Sequence, residues 1–583
     1  MLRLMKNIDK LFKSLFLLTI FFPSAAIAAP LFNQPYKSYT LTPGKSGGRL
    51  VLALTSEPKS FNPIVAQEAS TTEITSLIFE GLVRTNPLSL KVEPNLAKAW
   101  KVSKNGREYI FYLRDDIYFN DGVRLKADDV VFTFNELVYN PDIPTSSRDI
   151  FTLDGKKILV EKVDDLTVKF TLPSTFGPFL RAMSQEILPK HKYESCVKEK
   201  KFTFALGLNT PLTDIVGTGP FRLKKYLFGE QVIFEKNPYY WKKDALGAKL
   251  PYLGEVVFLI LQSQDTSLLK FLDNELDYYP LRPADIAILG PLKDKNNFSL
   301  YNAGPSFGEN FIVFNQTPGE NPATKKPFVS PYKLRWFCSQ GFRHAVSLAV
   351  DRKKMIDFVL NGLGEEQFSP LTKANLSFYS DNIVKEKYDP VEAKKILEGI
   401  GFADKDNDGF LEDKEGHRLE IDFYTNADNT ERVQMAALVK TDLEKIGFKI
   451  NFMPLDFNNL VVKLSSTNDW EMVFMGFTGG IEPYFGKNVW SYKGGLHVWN
   501  RSGKAIAGYE QEIEDIFEKS ARLTDDKARK KLFDRWQFLV SSELPLIHTV
   551  VPETIYAIRN RFGNLYPTVF GGAFGELEYV YVK

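Results

Sequence analysis

Hydrophobic and polar positions change period along the chain, and each change marks an element. Leu50, Val51, Leu52 and Leu54 make an apolar run across 49–55 that predicts a buried strand. Spacing through Ile74, Leu77 and Ile78 predicts a helix over 73–82. Tyr109, Phe111 and Leu113 alternate with Ile110, Tyr112 and Arg114, the period of two that a strand produces. Asp121-Gly122 signals a tight turn, and Ala127-Asp128-Asp129 opens a helix through Val130, Val131 and Phe134. Further strands are expected over 167–172, 221–223, 231–235 and 310–315. One long helix is expected over 342–360, with Ala345, Leu348, Ala349 and Met355 on one side.

In the C-terminal half the alternation is more regular. A helix over 391–400 precedes a strand over 419–424 whose Leu419, Ile421 and Phe423 share a face. A helix over 431–446, carrying Val433, Ala436, Ala437, Lys440 and Leu443, stops at Gly447 and feeds a strand over 448–452. Residues 472–477 read as a buried strand. Helices over 509–521 and 528–539 follow, the second opened by Thr524, Asp525 and Asp526. Strand–helix–strand alternation predicts an α/β fold, and no internal repeat is visible.

Composition changes the picture in three ways. With 583 residues, 44% hydrophobic and 14% aromatic, the chain has material for two or three domains and is not a disordered one. The 74 basic and 72 acidic side chains leave a net charge of +2, with none of the basic excess that nucleic acid demands. The N-terminus sets the compartment. Arg3, Lys6, Lys10 and Lys13 precede an apolar run over 15–22, then Pro23 and Ala26-Ile27-Ala28, the order of a cleaved secretory signal over residues 1–28. The run is too short to span a bilayer, and no Cys follows it to carry a lipid. Cleavage would leave a net charge of about −1. The expectation is an exported, soluble, periplasmic protein.

Most catalytic motifs fail on context. Gly44-Lys45-Ser46-Gly47-Gly48 and Gly304-Pro305-Ser306-Phe307-Gly308 match Gly-x-Ser-x-Gly, but both lead into expected strands, whereas a hydrolase elbow needs a following helix. The five His are scattered singly, and no phosphate-cradling glycine loop occurs. No catalytic residue is assigned. The two Cys, Cys196 and Cys338, are expected to stay unpaired. One motif is sharp: the run 404–415 fits the EF-hand loop at every fixed position, with ligands expected from Asp404, Asp406, Asp408, Phe410, Glu412 and Glu415. The following segment reads as a strand, so two readings stand: a structural calcium site, or an Asp/Gly turn between helix and strand. No other cofactor is expected.

Phrases spread over nearly the whole chain resemble the family 5 extracellular solute-binding proteins of peptide-type ABC importers. They are Glu57-Pro58 with Phe61-Asn62-Pro63, Phe79-Glu80-Gly81-Leu82, Pro94-Asn95-Leu96-Ala97 with Ala99-Trp100, and Tyr109-x-Phe111-x-Leu113-Arg114. Phe119-x-Asp121-Gly122, Ala127-x-Asp129-Val130, Gly217-Thr218-Gly219-Pro220-Phe221 and Asn237-Pro238-Tyr239-Tyr240-Trp241 continue the series. Phe342-Arg343-x-Ala345, Ala349-x-Asp351-Arg352 and Leu443-x-x-Ile446-Gly447 complete it. The resemblance implies a two-lobed periplasmic-binding-protein-like α/β fold with an extra subdomain in the first lobe. By analogy the first lobe takes 45–305 and 546–583, the second takes 306–545, and a hinge joins them.

The resemblance also implies a ligand site near 472–483. In the peptide binders an Asp after the strand end pairs with the peptide α-amino group. Here the matching run is Gly476-Phe477-Thr478-Gly479-Gly480-Ile481-Glu482-Pro483, with glycine where that Asp would stand. Phe477, Thr478, Gly479, Gly480, Glu482, Tyr484 and Trp499 are the expected contacts, with Glu68 and Ser70 from the loop after Asn62-Pro63; Trp490 is a further aromatic candidate. Glu482 or Glu68 would replace the missing carboxylate. The function implied is capture of an oligopeptide or peptide-like solute by a monomer. The solute then passes to an ABC permease with its ATPase subunits at the inner membrane. The alternatives are the same fold with a sugar oligomer, an opine-like compound or a nickel chelate, and a secreted hydrolase.

Overall fold

The computed structural model describes residues 31–583 apart from 34, 37, 67, 146 and 323, so the expected signal 1–28 lies outside the described residues. Arg49–Leu54 runs parallel to Glu255–Ile260, and Gln231–Lys236 and Phe221–Leu227 extend that sheet in antiparallel order. Its apolar run is continuous because both faces are covered. Leu50, Leu52 and Leu54 pack with Phe61, Ile78 and Phe258, while Val51 packs with Val257, Phe271 and Ile555 on the other side. A second sheet, Tyr278–Pro280, Val550–Arg559 and Phe298–Pro305, has the Val550–Arg559 strand in its middle.

The segment from 97 to 171 forms its own antiparallel sheet, in the order Ala97–Val102, Glu108–Leu113, Thr167–Thr171, Leu159–Asp164. Tyr109, Phe111 and Leu113 are buried as the alternation required, and the helix Ala127–Phe132 lays Ala127 and Val130 onto the same core. The second lobe holds a five-stranded sheet: Lys449–Leu455, Glu420–Asn426, Met472–Phe477, Glu309–Phe314, Leu546–His548. Successive residues of its central strands serve opposite cores. Ile312, Phe314, Met472 and Phe474 meet the helices Gln340–Ala349, Pro390–Ile400 and Thr430–Glu444. Phe311, Val313 and Val473 meet Gly508–Arg522 and Asp526–Glu543. The chain passes between lobes twice, from Phe298–Pro305 into Glu309–Phe314 and from Leu546–His548 into Val550–Arg559.

Two expected helices differ. The helix placed over 73–82 is Ala69–Thr75, because Leu77 and Ile78 give their carbonyls to Phe221 and Gly219 of a neighbouring segment. The long helix over 342–360 is two, Gln340–Ala349 and Arg352–Phe358. Asp351 breaks it by accepting a bond from the Lys354 backbone N–H at 3.0 Å, a cap that starts the second helix. No described helix is long and apolar enough to cross a membrane.

Candidate functional site

The buried strand Met472–Phe477 emerges at a cavity of about 500 Å³. Its end is shaped by close backbone approach. A Cβ on Gly476 would stand 2.1 Å from the Glu309 carbonyl oxygen, and one on Gly479 would stand 1.9 Å from that of Phe307. Gly479 is also left-handed at φ +64°, so glycine is required there twice over. Gly480 has open space on its Cβ side. Asn375 pins this turn by donating to the Gly480 and Ile481 carbonyls at 3.0 and 3.2 Å. Phe477 is half-buried against the Phe311 ring at 5.1 Å, and Ile481, Phe485, Val489 and Leu496 continue an apolar wall.

The first lobe closes the other side with Thr85, Arg181, Ser184 and Phe570. Thr85, Ser184 and Phe570 also line an adjoining cavity of about 550 Å³, which makes one continuous cleft. That second space is more acidic. Glu73 and Glu186 line it, and the surrounding protein, which strips water from both carboxyls, pushes each up to about 7. Arg84 and Lys242 are occupied, the first by Glu93 at 2.6 Å and Glu576 at 3.1 Å, the second by Glu578 at 2.6 Å. At the floor Glu309 is paired through Oε2 with His548 Nε2 at 2.6 Å, which ties the two connecting strands together.

The structure brings Phe477, Thr478, Gly479, Gly480, Glu482 and the aromatic candidate Trp490 to the lining of the 500 Å³ cavity. Glu482 is not a solvated carboxylate. It is buried and forms a two-pronged pair with Arg529, also buried, while Arg181 Nε stands 3.8 Å away. Its charge is therefore spent within the protein. Tyr484 packs edge-on against Phe176 at 5.4 Å, behind the wall. Trp499 is in the core, 5.6 Å from the Trp490 ring, with its indole N–H on Glu510 at 3.0 Å. Glu68 accepts a bond from the Thr71 hydroxyl, Ser70 donates to the Glu57 carbonyl at 3.3 Å, and neither lines either cavity. The pattern missed Arg181, Glu309, Leu371 and Phe570 because they come from four remote segments that only the fold assembles. Ser306 lies between the strands Phe298–Pro305 and Glu309–Phe314, with no helix behind it.

Two α/β lobes joined by two strands around a cleft define a periplasmic binding protein, the class whose lobes close on a ligand. Residues 91–495 match the middle region of the bacterial extracellular solute-binding proteins, family 5. The chain belongs to this family, the solute-binding components of ABC transporters. A probable ABC transporter-binding protein of Deinococcus radiodurans is 28% identical, with 93% of each chain covered. The oligopeptide-binding protein AppA of Bacillus subtilis is 25% identical over 87% of this chain and 90% of its own. Its structure with a nonapeptide superposes with a TM-score of 0.71 at 22% identity, covering 93% of this chain and all of that one. NikZ of Campylobacter jejuni in complex with Ni(L-His) has the same fold, with a TM-score of 0.73 at 22% identity over 93% of this chain and 100% of its own.

Proposed function

We propose that the chain captures an oligopeptide or peptide-like solute in the periplasm and delivers it to an ABC permease, without acting on it chemically. One observation carries the reading: the cavity is lined by a glycine turn that a ligand can approach at Gly480, beside the aromatic face of Phe477. Such a surface suits main-chain pairing with an extended peptide. Two facts refine the ligand. Glycine stands where a peptide binder would hold its amino-group Asp, and Glu482 is bound to Arg529. Recognition should therefore depend little on a free α-amino group. The relative AppA supports a peptide ligand; the nickel chelate of NikZ has less support, since no His or Cys lines either cavity.

Calorimetric titration of a peptide with and without N-terminal acetylation, chosen from ligands co-purified with the protein, tests this. Both forms should bind alike. Phe477→Ala should weaken both roughly tenfold by removing aromatic contact, and Gly480→Asp should create a preference for the free amino form. Loss of binding on acetylation would overturn the independence from the amino group and point to another carboxylate as its anchor, and unchanged affinity in both variants would overturn the site.

A further inference from the structure

The loop 404–415 has a constellation that the solute cleft does not use. Carboxylate oxygens of Asp404, Asp406 and Glu412 all lie within 4.8 Å of one another, a span that oxygens at the 2.3–2.6 Å of calcium can bridge. The local backbone is held for such convergence. Asp404 accepts a bond from the Gly409 N–H at 3.1 Å, and Gly409 turns with φ +93° where added bulk would meet nothing. Glu415, the last position of the motif, has left the group: its carboxylate is on Arg335 at 2.7 Å. Glu412 takes its place by geometry.

Glu412 also provides an observation independent of the acidic cluster. It is 6% exposed, and only one of its oxygens is satisfied, Oε2 by the Lys405 N–H at 2.9 Å. Oε1 is buried without a hydrogen-bond partner. The nearest cation, Arg418 Nε, stands 3.7 Å off, because the guanidinium is drawn to Asp408 at 2.5 Å and Asp406 at 3.2 Å. Lys405 does not help, since its ammonium bonds the Asp413 and Lys414 carbonyls. Three carboxylates, those of residues 406, 408 and 412, thus share one guanidinium, with that of Asp404 beside them. A buried carboxylate oxygen held only by a distant ion pair and no hydrogen bond is poorly satisfied, and a hard divalent cation among oxygen donors relieves it.

We infer that Asp404, Asp406 and Glu412 form a calcium site, with Asp408 and the Phe410 carbonyl joining when Arg418 swings aside. The site is structural: the loop hangs between the helix Pro390–Ile400 and the strand Glu420–Asn426, and the metal clasps that connection. Arg418 is then a competitor of the metal, and this separates the proposal from a turn held by its own ion pairs.

The test is titration of CaCl2 into the chelator-stripped full chain, followed by calorimetry and thermal melting. One saturable site in the range of extracellular calcium modules, about 10⁻⁴–10⁻³ M, is expected, together with a higher melting temperature in calcium than in chelator. Arg418→Gln should tighten binding by roughly tenfold, because one competing charge is gone. Asp404→Asn or Asp406→Asn should abolish the heat. If the Asn variants fail to fold, Arg418→Gln still decides. No saturable heat and no melting shift in both wild type and Arg418→Gln would overturn the site, as would calcium binding that survives Asp404→Asn.

Discussion

Gly479 and Gly480 are neighbours with opposite tolerances. At 479 a side chain meets the Phe307 carbonyl in a left-handed backbone; at 480 it meets nothing. Gly479→Ala should therefore destabilise by about 2 kcal/mol or more, and Gly480→Ala by less than about 0.5 kcal/mol. Urea unfolding of the two variants checks this; equal losses would mean that the turn relaxes. A second residue-scale expectation concerns pH. Glu73 and Glu186 hold their protons to about pH 7 when folded, against the ordinary 4.5 of a free glutamate. Between those values the folded chain binds more protons than the unfolded one, so their contribution to stability is lost as pH rises through that window. The Glu73→Gln/Glu186→Gln double variant should show a flatter melting temperature between pH 5 and pH 7.5, and a slope equal to that of wild type would remove these groups as its source. The strand end at 472–477 was readable because its residues are consecutive. Arg181 and Phe570 were not, since nothing near them in sequence marks a cavity that distant segments create.

Elements were legible where burial and period agree. The strand Met472–Phe477 and the helix Pro390–Ile400, capped by left-handed Gly401, sit within a residue or so of where their patterns put them. Patterns failed where a remote partner intervened. Leu77 and Ile78 have helical spacing but spend their carbonyls on another segment. The two helices between 340 and 358 share one apolar stripe, which hides the break at Val350. Asp351 is the signal that could have found it, an N-cap residue in mid-pattern. Asp351→Ala should cost about 1 kcal/mol by removing that cap. Chemical denaturation measures the loss, and none at all would mean that packing of Met355 alone starts the second helix.

At the scale of the molecule, the lobes share connections rather than a simple linker. Glu309–Phe314 and Leu546–His548 lie side by side in the second sheet, and each continues directly into a strand of the first-lobe sheet. Arg181 and Asp154, from the segment around the 97–171 sheet, approach Glu482 and Arg522 of the second lobe, the first contact buried and the second exposed. Cys196, half-buried on the helix Lys190–Lys198, and Cys338, exposed at the end of Pro331–Cys338, are free thiols on opposite sides of this division. Thiol titration of the unfolded, unreduced chain should count two per monomer; a count of zero would mean a covalent staple across lobes that must part.

The position of Val550–Arg559 has a consequence for how the protein comes into being. This strand is the middle of its sheet, with Tyr278 facing Ile558 on one side and Phe298 facing Arg559 on the other. During synthesis both flanking strands emerge long before the one that joins them, so the edge that each turns toward it waits unpaired. Pairings this distant are slow to form and leave apolar surface in need of an escort meanwhile. The sheet at the lobe junction can therefore close only once Val550–Arg559 has been made, whereas the 97–171 sheet pairs entirely within itself.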